Sequence, residues 1–415
     1  MNTFTVLFLA ALTLSTAIRL WLGNRHIRHV QAHRTRVPAG FADQITLAAH
    51  EKAAHYTVAK TRLNLVRVGV DAVALLALTV GGVLNWLDEA WRAALGPGIW
   101  SGMALIGSTV VILSVLDLPL SWYRTFRIES RFGFNQMTLA LFVSDLAKQT
   151  LVGAAIGAPL LLAVLWLMAG MGANWWLYAW LLWVAFSVVM LLVYPTYIAP
   201  LFNRFSPMQE GDLKRRIEAL LLKCGFRSQG LFVMDGSKRS SHGNAYFTGF
   251  GRAKRIVFFD TLISRLDPPE IEAVLAHELG HFKLRHVMKR MMLTFAVSLA
   301  FLWALGQLMG EPWFFQGLGV STPSTAMALL LFFLVVPVFT FLLQPIMSVY
   351  SRKHEFEADA YAAQQASAAD LAQALVKLYK DNASTLTPDP LHSAFYDSHP
   401  PAALRIARLQ QSALA

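Results

Sequence analysis

The stretch EIEAVLAHELGHFKLRHVMKRMMLTFAVSLAFLWALGQLM (270–309) decides the fold of this chain. Its first half alternates polar and apolar residues as an amphipathic helix does. From 290 onward it is an apolar run of membrane length, since about 30 Å of hydrocarbon takes roughly 20 helical residues. A helix bearing His277, Glu278 and His281 therefore leads directly into lipid. Asp267 reads as its N-cap, Pro268 suits the first helical position, and Glu270 completes a capping-box-like pair. The spacing predicts a helix over 267–289 and a span over 290–309.

Working outward, runs of similar length lie near 4–22, 68–86, 100–123, 151–171, 174–198 and 325–349, which makes seven expected spans. The first resembles a signal peptide with Ser15, Thr16 and Ala17 as a weak cleavage site, but no basic segment precedes it, so it is read as a helix. Arginines and lysines crowd the first connection (Arg25, Arg28, Arg34, Arg36, Lys52, Lys60, Arg62, Arg67) and the third (Arg124, Arg127, Arg131, Lys148). The fifth connection and the tail are basic too, whereas 310–324 contains no Lys or Arg. By the positive-inside rule the N-terminus lies outside and the C-terminus in the cytoplasm.

Composition agrees. The chain is 55% hydrophobic and 15% charged, against about 25% charged in an ordinary soluble domain. Its formal charge of +11 is the cytoplasmic-loop excess of a membrane protein facing anionic lipid, not a nucleic-acid footprint. The single cysteine, Cys224, rules out an internal disulfide and a cysteine-based zinc site.

The expected organisation is spans one to five over 1–198, a polar insert over 199–289, spans six and seven over 290–349, and a helical tail over 350–415. The insert should hold a helix near 209–224 and short strands at LFVMD (231–235), AYFTGF (245–250) and RIVFFD (255–260). The tail is punctuated by prolines at 388, 390, 400 and 401. The fold class is thus mainly α, a polytopic membrane protein capped by an α+β domain.

His277 and His281 are four apart on a helix, so both imidazoles share one face and can converge on one metal. Glu278 then stands beside the metal's open position, placed to take a proton from water. Zinc suits such a set, being redox-inert and tetrahedral. A third ligand is required. His286 follows His281 by only five residues, too close for a third histidine of the metzincin kind. The third ligand should be a carboxylate from another helix, and SRKHEFEADAYA (351–362) supplies Glu355. Adjacent antiparallel spans bring the start of span six and the end of span seven to one side of the membrane. Asp359, four residues after Glu355, can hydrogen-bond the outer nitrogen of a ligating histidine. Glu357 is a rival ligand on another face, and His354 reads as a solvated histidine.

These residues, with TFRIESRFGFNQMTL (125–139), YPTYIAPLFNRFSP (194–207), DGSKRSSHGNAYFTGFGRAKRIVFFDTLI (235–263) and YDSHPPAALRIARL (396–409), give the chain a resemblance to the M48 metalloproteases of the CaaX prenyl protease 1 group, the Ste24-type endopeptidases. The resemblance covers nearly the whole chain. It implies a ring of seven tilted helices enclosing a water-filled chamber, roofed by the zinc domain, and one Zn2+ per chain held by His277, His281 and Glu355. Glu278 is then the catalytic base and Asp359 the support behind a ligand. It also implies roles that spacing does not reach: Asn244 binding substrate backbone beside an edge strand, His399 stabilising the oxyanion, and Arg405 on the substrate side, steadying that region.

The substrate expected from the resemblance is a prenylated protein that loses its C-terminal tripeptide. His354 and Glu357 stand where eukaryotic members often carry an aromatic residue and Gln. Competing readings are a quality-control endopeptidase without lipid recognition, an inert zinc scaffold, and an ion-coordinating transporter. The last expects ionisable residues deep in the spans, where Asp71 and Asp117 are the main ones. Compact loops lean towards a bacterial inner membrane, with the zinc end cytoplasmic, or an endoplasmic-reticulum membrane in a eukaryote.

Overall fold

The computed structural model describes residues 2–226, 228–250 and 253–414; Gly251 and Arg252 of the stretch 235–263 lie outside the described residues. Six helices are long and apolar enough to cross a membrane: Thr3–Ala32, Ile99–Glu129, Leu139–Gly170, Gly172–Leu201, His286–Leu308 and Thr325–Gln365. The pair Leu47–Leu78 and Val83–Leu95, bent by 52°, makes a seventh when counted as one span. The expected second span, 68–86, therefore straddles a bend. Gly81 and Gly82 cause it, Gly82 adopting a left-handed φ of 80° that opens the next helix.

The spans from Ile99 onward touch in ring order, Ile99–Glu129 to Leu139–Gly170 to Gly172–Leu201 to His286–Leu308 to Thr325–Gln365, and back to Ile99–Glu129. In four of them only 6–11% of the most apolar window is buried. Thr325–Gln365 is the exception, 56% buried, and also touches Leu139–Gly170. A cavity of about 810 Å³ opens between the first two, lined by Val110, Ser114, Asp117, Gln149, Phe202 and Arg239 among others. Asp117 is paired with Arg67 at 2.6 Å.

The polar domain is built on a four-stranded sheet of order β1-β2-β4-β3, with β1 Phe205–Pro207, β2 Ser228–Met234, β3 Ala245–Phe250 and β4 Ala253–Phe259. β2 and β4 are parallel, and the outer pairs antiparallel. The helices Asp212–Lys223, Pro268–Lys283, Ala368–Asp381 and Ala402–Leu414 contribute to the same core. Ile271, Leu275 and Leu279 recur every fourth residue, so one stripe of the Pro268–Lys283 helix is buried against Ile217, Phe258 and Leu371. Each such side chain contributes about 1.5–3 kcal/mol when fully buried.

The helix expected over 267–289 begins as foreseen, with the Asp267 N–H donating to the Glu270 carboxylate at 2.8 Å. It ends at Lys283, however, and Arg285 turns the chain at a left-handed φ of 58° before the His286–Leu308 helix begins.

Thr325–Gln365 is a 41-residue run, about 60 Å long at 1.5 Å per residue and twice the hydrocarbon thickness. Its last turns, from Tyr350 on, thus project beyond the hydrocarbon on the side where the His286–Leu308 helix starts.

Candidate active site

Two helices make the site, Pro268–Lys283 and Gln344–Gln365, and a glycine lets them touch. A Cβ on Gly280 would lie 3.0 Å from the Ala358 Cα and 3.1 Å from its carbonyl oxygen. At that approach His277 and His281 face Glu355. The ligand atoms cluster tightly: His277 Nε2 to His281 Nε2 is 3.3 Å, His277 Nε2 lies 3.4 Å from Glu355 Oε2, and His281 Nε2 lies 3.4 Å from Glu355 Oε1, so the carboxylate straddles the two imidazoles. Tetrahedral ligands at about 2.0–2.1 Å from a zinc ion are themselves about 3.3–3.4 Å apart. The donor set and its spacing both fit zinc. None of the three ligands lies in an apolar run of membrane length, which argues against the ion-carrier reading.

Behind this cluster, His277 Nδ1 lies 2.8 Å from Asp359 Oδ1. Asp359 also receives Arg405 through Nε at 2.8 Å and Nη2 at 2.6 Å. Burial alone would raise the Asp359 carboxyl, but the hydrogen bonds from Arg405 and His277 outweigh it and lower the pKa. Glu355 behaves alike: burial is opposed by His277, His281 and the nearby His399, which hold its carboxyl well below the carboxylate range. Burial would likewise depress His277, yet Asp359 and Glu355 raise it to about 9. The pocket therefore favours positive charge, a proton or a metal ion.

Arg405 was expected on the substrate side. It lines the same cavity as His277, and, buried, it directs its short hydrogen bonds at Asp359 and lies 3.8 Å from Glu355. A guanidinium committed to a carboxylate in this bidentate way keeps little for a substrate.

Glu278 is half-buried and lines the same cavity of about 570 Å³ as His277, Asn244, His399 and Arg405. Burial lifts its carboxyl above the usual range, against the pull of His277 and His281. His399 Nε2 stands 3.5 Å from Glu355 Oε1, and its Nδ1 is 3.0 Å from the Ser398 hydroxyl. Asn244 precedes β3, the edge strand of the sheet, and its own Oδ1 accepts from the Ala245 N–H.

One expectation about the neighbours of Glu355 fails, and the rival ligand is set aside. His354 is not solvated: it is 2% exposed and stacked on His286 with ring centres 4.0 Å apart. Glu357 does not join the cluster; its carboxylate is 2.9 Å from His286 Nε2. His286 Nδ1 in turn lies 3.0 Å from His281 Nδ1. With His281 Nε2 facing the metal position, its Nδ1–H donates to His286, whose Nε2–H donates to Glu357. Sequence spacing missed this line because Arg285 creates it, by turning His286 back towards His281.

With this geometry in place, the comparisons with known proteins are specific. Residues 26–204 match the family described as CAAX prenyl protease N-terminal, five membrane helices, and residues 207–413 match peptidase family M48. A CAAX prenyl protease 1 homolog of Arabidopsis thaliana is 36% identical, covering 89% of each chain. The Homo sapiens homolog is 32% identical, covering 97% of this chain and 95% of that protein. The crystal structure of S. mikatae Ste24p superposes with a TM-score of 0.91 at 29% identity, covering 99% of both chains. A His–His–Glu metal triangle on membrane-anchored helices thus coincides with family matches over nearly the full length, and the chain belongs to peptidase family M48 as an integral-membrane zinc metalloendopeptidase homologous to CAAX prenyl protease 1.

Proposed function

We propose that His277, His281 and Glu355 hold one zinc ion per chain and that Glu278 is the proton-transfer residue of peptide-bond hydrolysis. The observation that carries this reading is the pair of imidazoles 3.3 Å apart, each 3.4 Å from one oxygen of the Glu355 carboxylate, with Glu278 lining the same cavity. Zinc bound there would supply Lewis acidity towards a water and a carbonyl. Glu278 takes the proton from the attacking water and returns it to the leaving nitrogen, a task suited to a carboxyl lifted by burial. Asp359 fixes His277 through Nδ1, and Arg405 fixes Asp359.

At the rim, the Ser398 hydroxyl can donate to His399 Nδ1, which puts the ring hydrogen on Nε2, the atom nearer the metal triangle. That N–H is a donor for the oxyanion of the tetrahedral intermediate. The outer edge of β3, with Asn244 at its start, can hold an extended peptide by strand addition. The names of the relatives support a prenylated protein as substrate, with the cut near its C-terminus.

Loop charge supports a cytoplasmic position for the zinc-bearing end. The relatives are eukaryotic, so they favour an endoplasmic-reticulum setting over the bacterial inner membrane suggested by compact loops.

The test is hydrolysis by purified protein of an S-farnesyl peptide and its unprenylated twin, each with and without chelator. Glu278→Gln should keep zinc and lose nearly all cleavage; hydrolysis near the wild-type rate would overturn the mechanism. Equal cleavage of the two peptides would remove prenyl recognition and leave a general membrane endopeptidase.

A further inference from the structure

The cavity that reaches His277 and Glu278 also reaches Lys60, on the helix Leu47–Leu78. The ammonium is held in place there: Nζ sits 4.0 Å from the centre of the Tyr56 ring, one turn earlier on the same helix. Tyr56 cannot yield, because its ring is 2% exposed and its hydroxyl donates to Glu129 with both carboxylate oxygens at 2.8 Å. A cation–π contact positions a cation without neutralising it.

Among the described residues no carboxylate lies within 4.0 Å of this ammonium. Glu129, beneath the ring, is engaged by Tyr56, by Arg124 at 3.6 Å and by His242 at 3.6 Å. The cavity wall also carries Thr57, Thr61 and His26, and its acids, Asp397, Glu278 and Glu355, make no ion pair with Lys60. A partly buried cation with no carboxylate in contact, only Glu129 acting at longer range, carries a desolvation cost that an incoming anion would offset. The cavity's volume of about 570 Å³ corresponds to roughly 10 Å across if compact, the reach of about three extended residues.

We propose that Lys60 receives the C-terminal carboxylate of the substrate peptide, in the cavity whose lining also includes His277, Glu278 and Glu355. The proposal rests on the peptidase reading above and adds to it the group that measures distance from the substrate's end. The cleaved bond is then set by how many residues lie between that carboxylate and the metal triangle.

The experiment uses the full-length zinc-loaded protein in detergent and one S-farnesyl peptide made with either a free C-terminal carboxylate or a carboxamide. Wild-type protein should favour the acid by at least about tenfold in kcat/KM, the worth of one charge-assisted hydrogen bond. In Lys60→Met the acid-to-amide ratio should collapse towards one, and in Lys60→Arg a preference for the acid should persist. Equal kcat/KM for acid and amide in the wild type overturns the proposal while leaving the peptidase reading standing, as does an undiminished ratio in Lys60→Met. Failure of the wild type to cut either peptide overturns the peptidase reading itself, and the proposal with it.

Discussion

Arg405 grips Asp359 through two charge-assisted hydrogen bonds of 2.8 and 2.6 Å, and Asp359 stands 2.8 Å from His277 Nδ1. One buried ion pair thus fixes which nitrogen of His277 faces the metal. Arg405→Met would strand the Asp359 charge in the interior. It should cost roughly 3–5 kcal/mol of stability and about 10–100-fold in zinc affinity. Thermal unfolding and zinc competition against a chelating dye would read the two effects. Arg405→Lys should restore only part of each, because an ammonium cannot reproduce the planar fork.

The line from His281 through His286 to Glu357 makes a second prediction, which also discriminates ligands. Glu357→Gln should weaken zinc binding by about 10–100-fold and leave cleavage measurable, as loss of a supporting partner does. Glu355→Gln should abolish tight binding by removing a ligand. Zinc titration of both variants checks the assignment, and a Glu357→Gln protein as metal-free as Glu355→Gln would reverse it.

These two cases show what the sequence made legible and what it hid. The ligand residues could be read because i and i+4 spacing fixes a shared helix face, and because span order brings Glu355 to the end where His277 lies. Asn244, His399 and Arg405 came from resemblance alone, since no local periodicity places them near a metal. The His286–Glu357 contact depends on Arg285 taking a left-handed φ without being glycine, a choice imposed by tertiary structure. The bend at Gly81 and Gly82 was written in the sequence, yet the surrounding apolar run concealed it. The three-residue β1, Phe205–Pro207, is made by pairing with β2, so no local pattern announces it.

Gly280 carries a third prediction. Its Cα faces the Ala358 backbone, and an added methyl would press on atoms at 3.0 and 3.1 Å that belong to the main chain and cannot rotate away. Gly280→Ala should therefore push the two ligand-bearing helices apart. The expected loss is about 1–3 kcal/mol of stability, with a larger proportional loss of activity because the metal triangle spans both helices. Comparing unfolding midpoints with kcat at saturating zinc would separate the two effects. An active Gly280→Ala protein of wild-type stability would show that the helix contact is slack.

The last prediction concerns pH. His392 lies on the short helix Pro390–Tyr396, stacked on His26 with ring centres 4.0 Å apart. Burial pushes its imidazole down from 6.5 to about 4, with Asp389 pulling weakly the other way. An unfolded chain binds a proton at this residue near pH 6.5, whereas the folded one resists until about pH 4. Between those values the unfolded state holds more protons, so folding stability must fall as the pH drops through that window and level off below it. His392→Phe keeps a ring to stack and removes the titration. The wild-type unfolding midpoint should therefore decline from pH 6.5 towards 4 more steeply than that of His392→Phe, while the two run parallel above pH 7. Parallel curves throughout would mean that His392 takes up its proton in the folded protein as readily as in water.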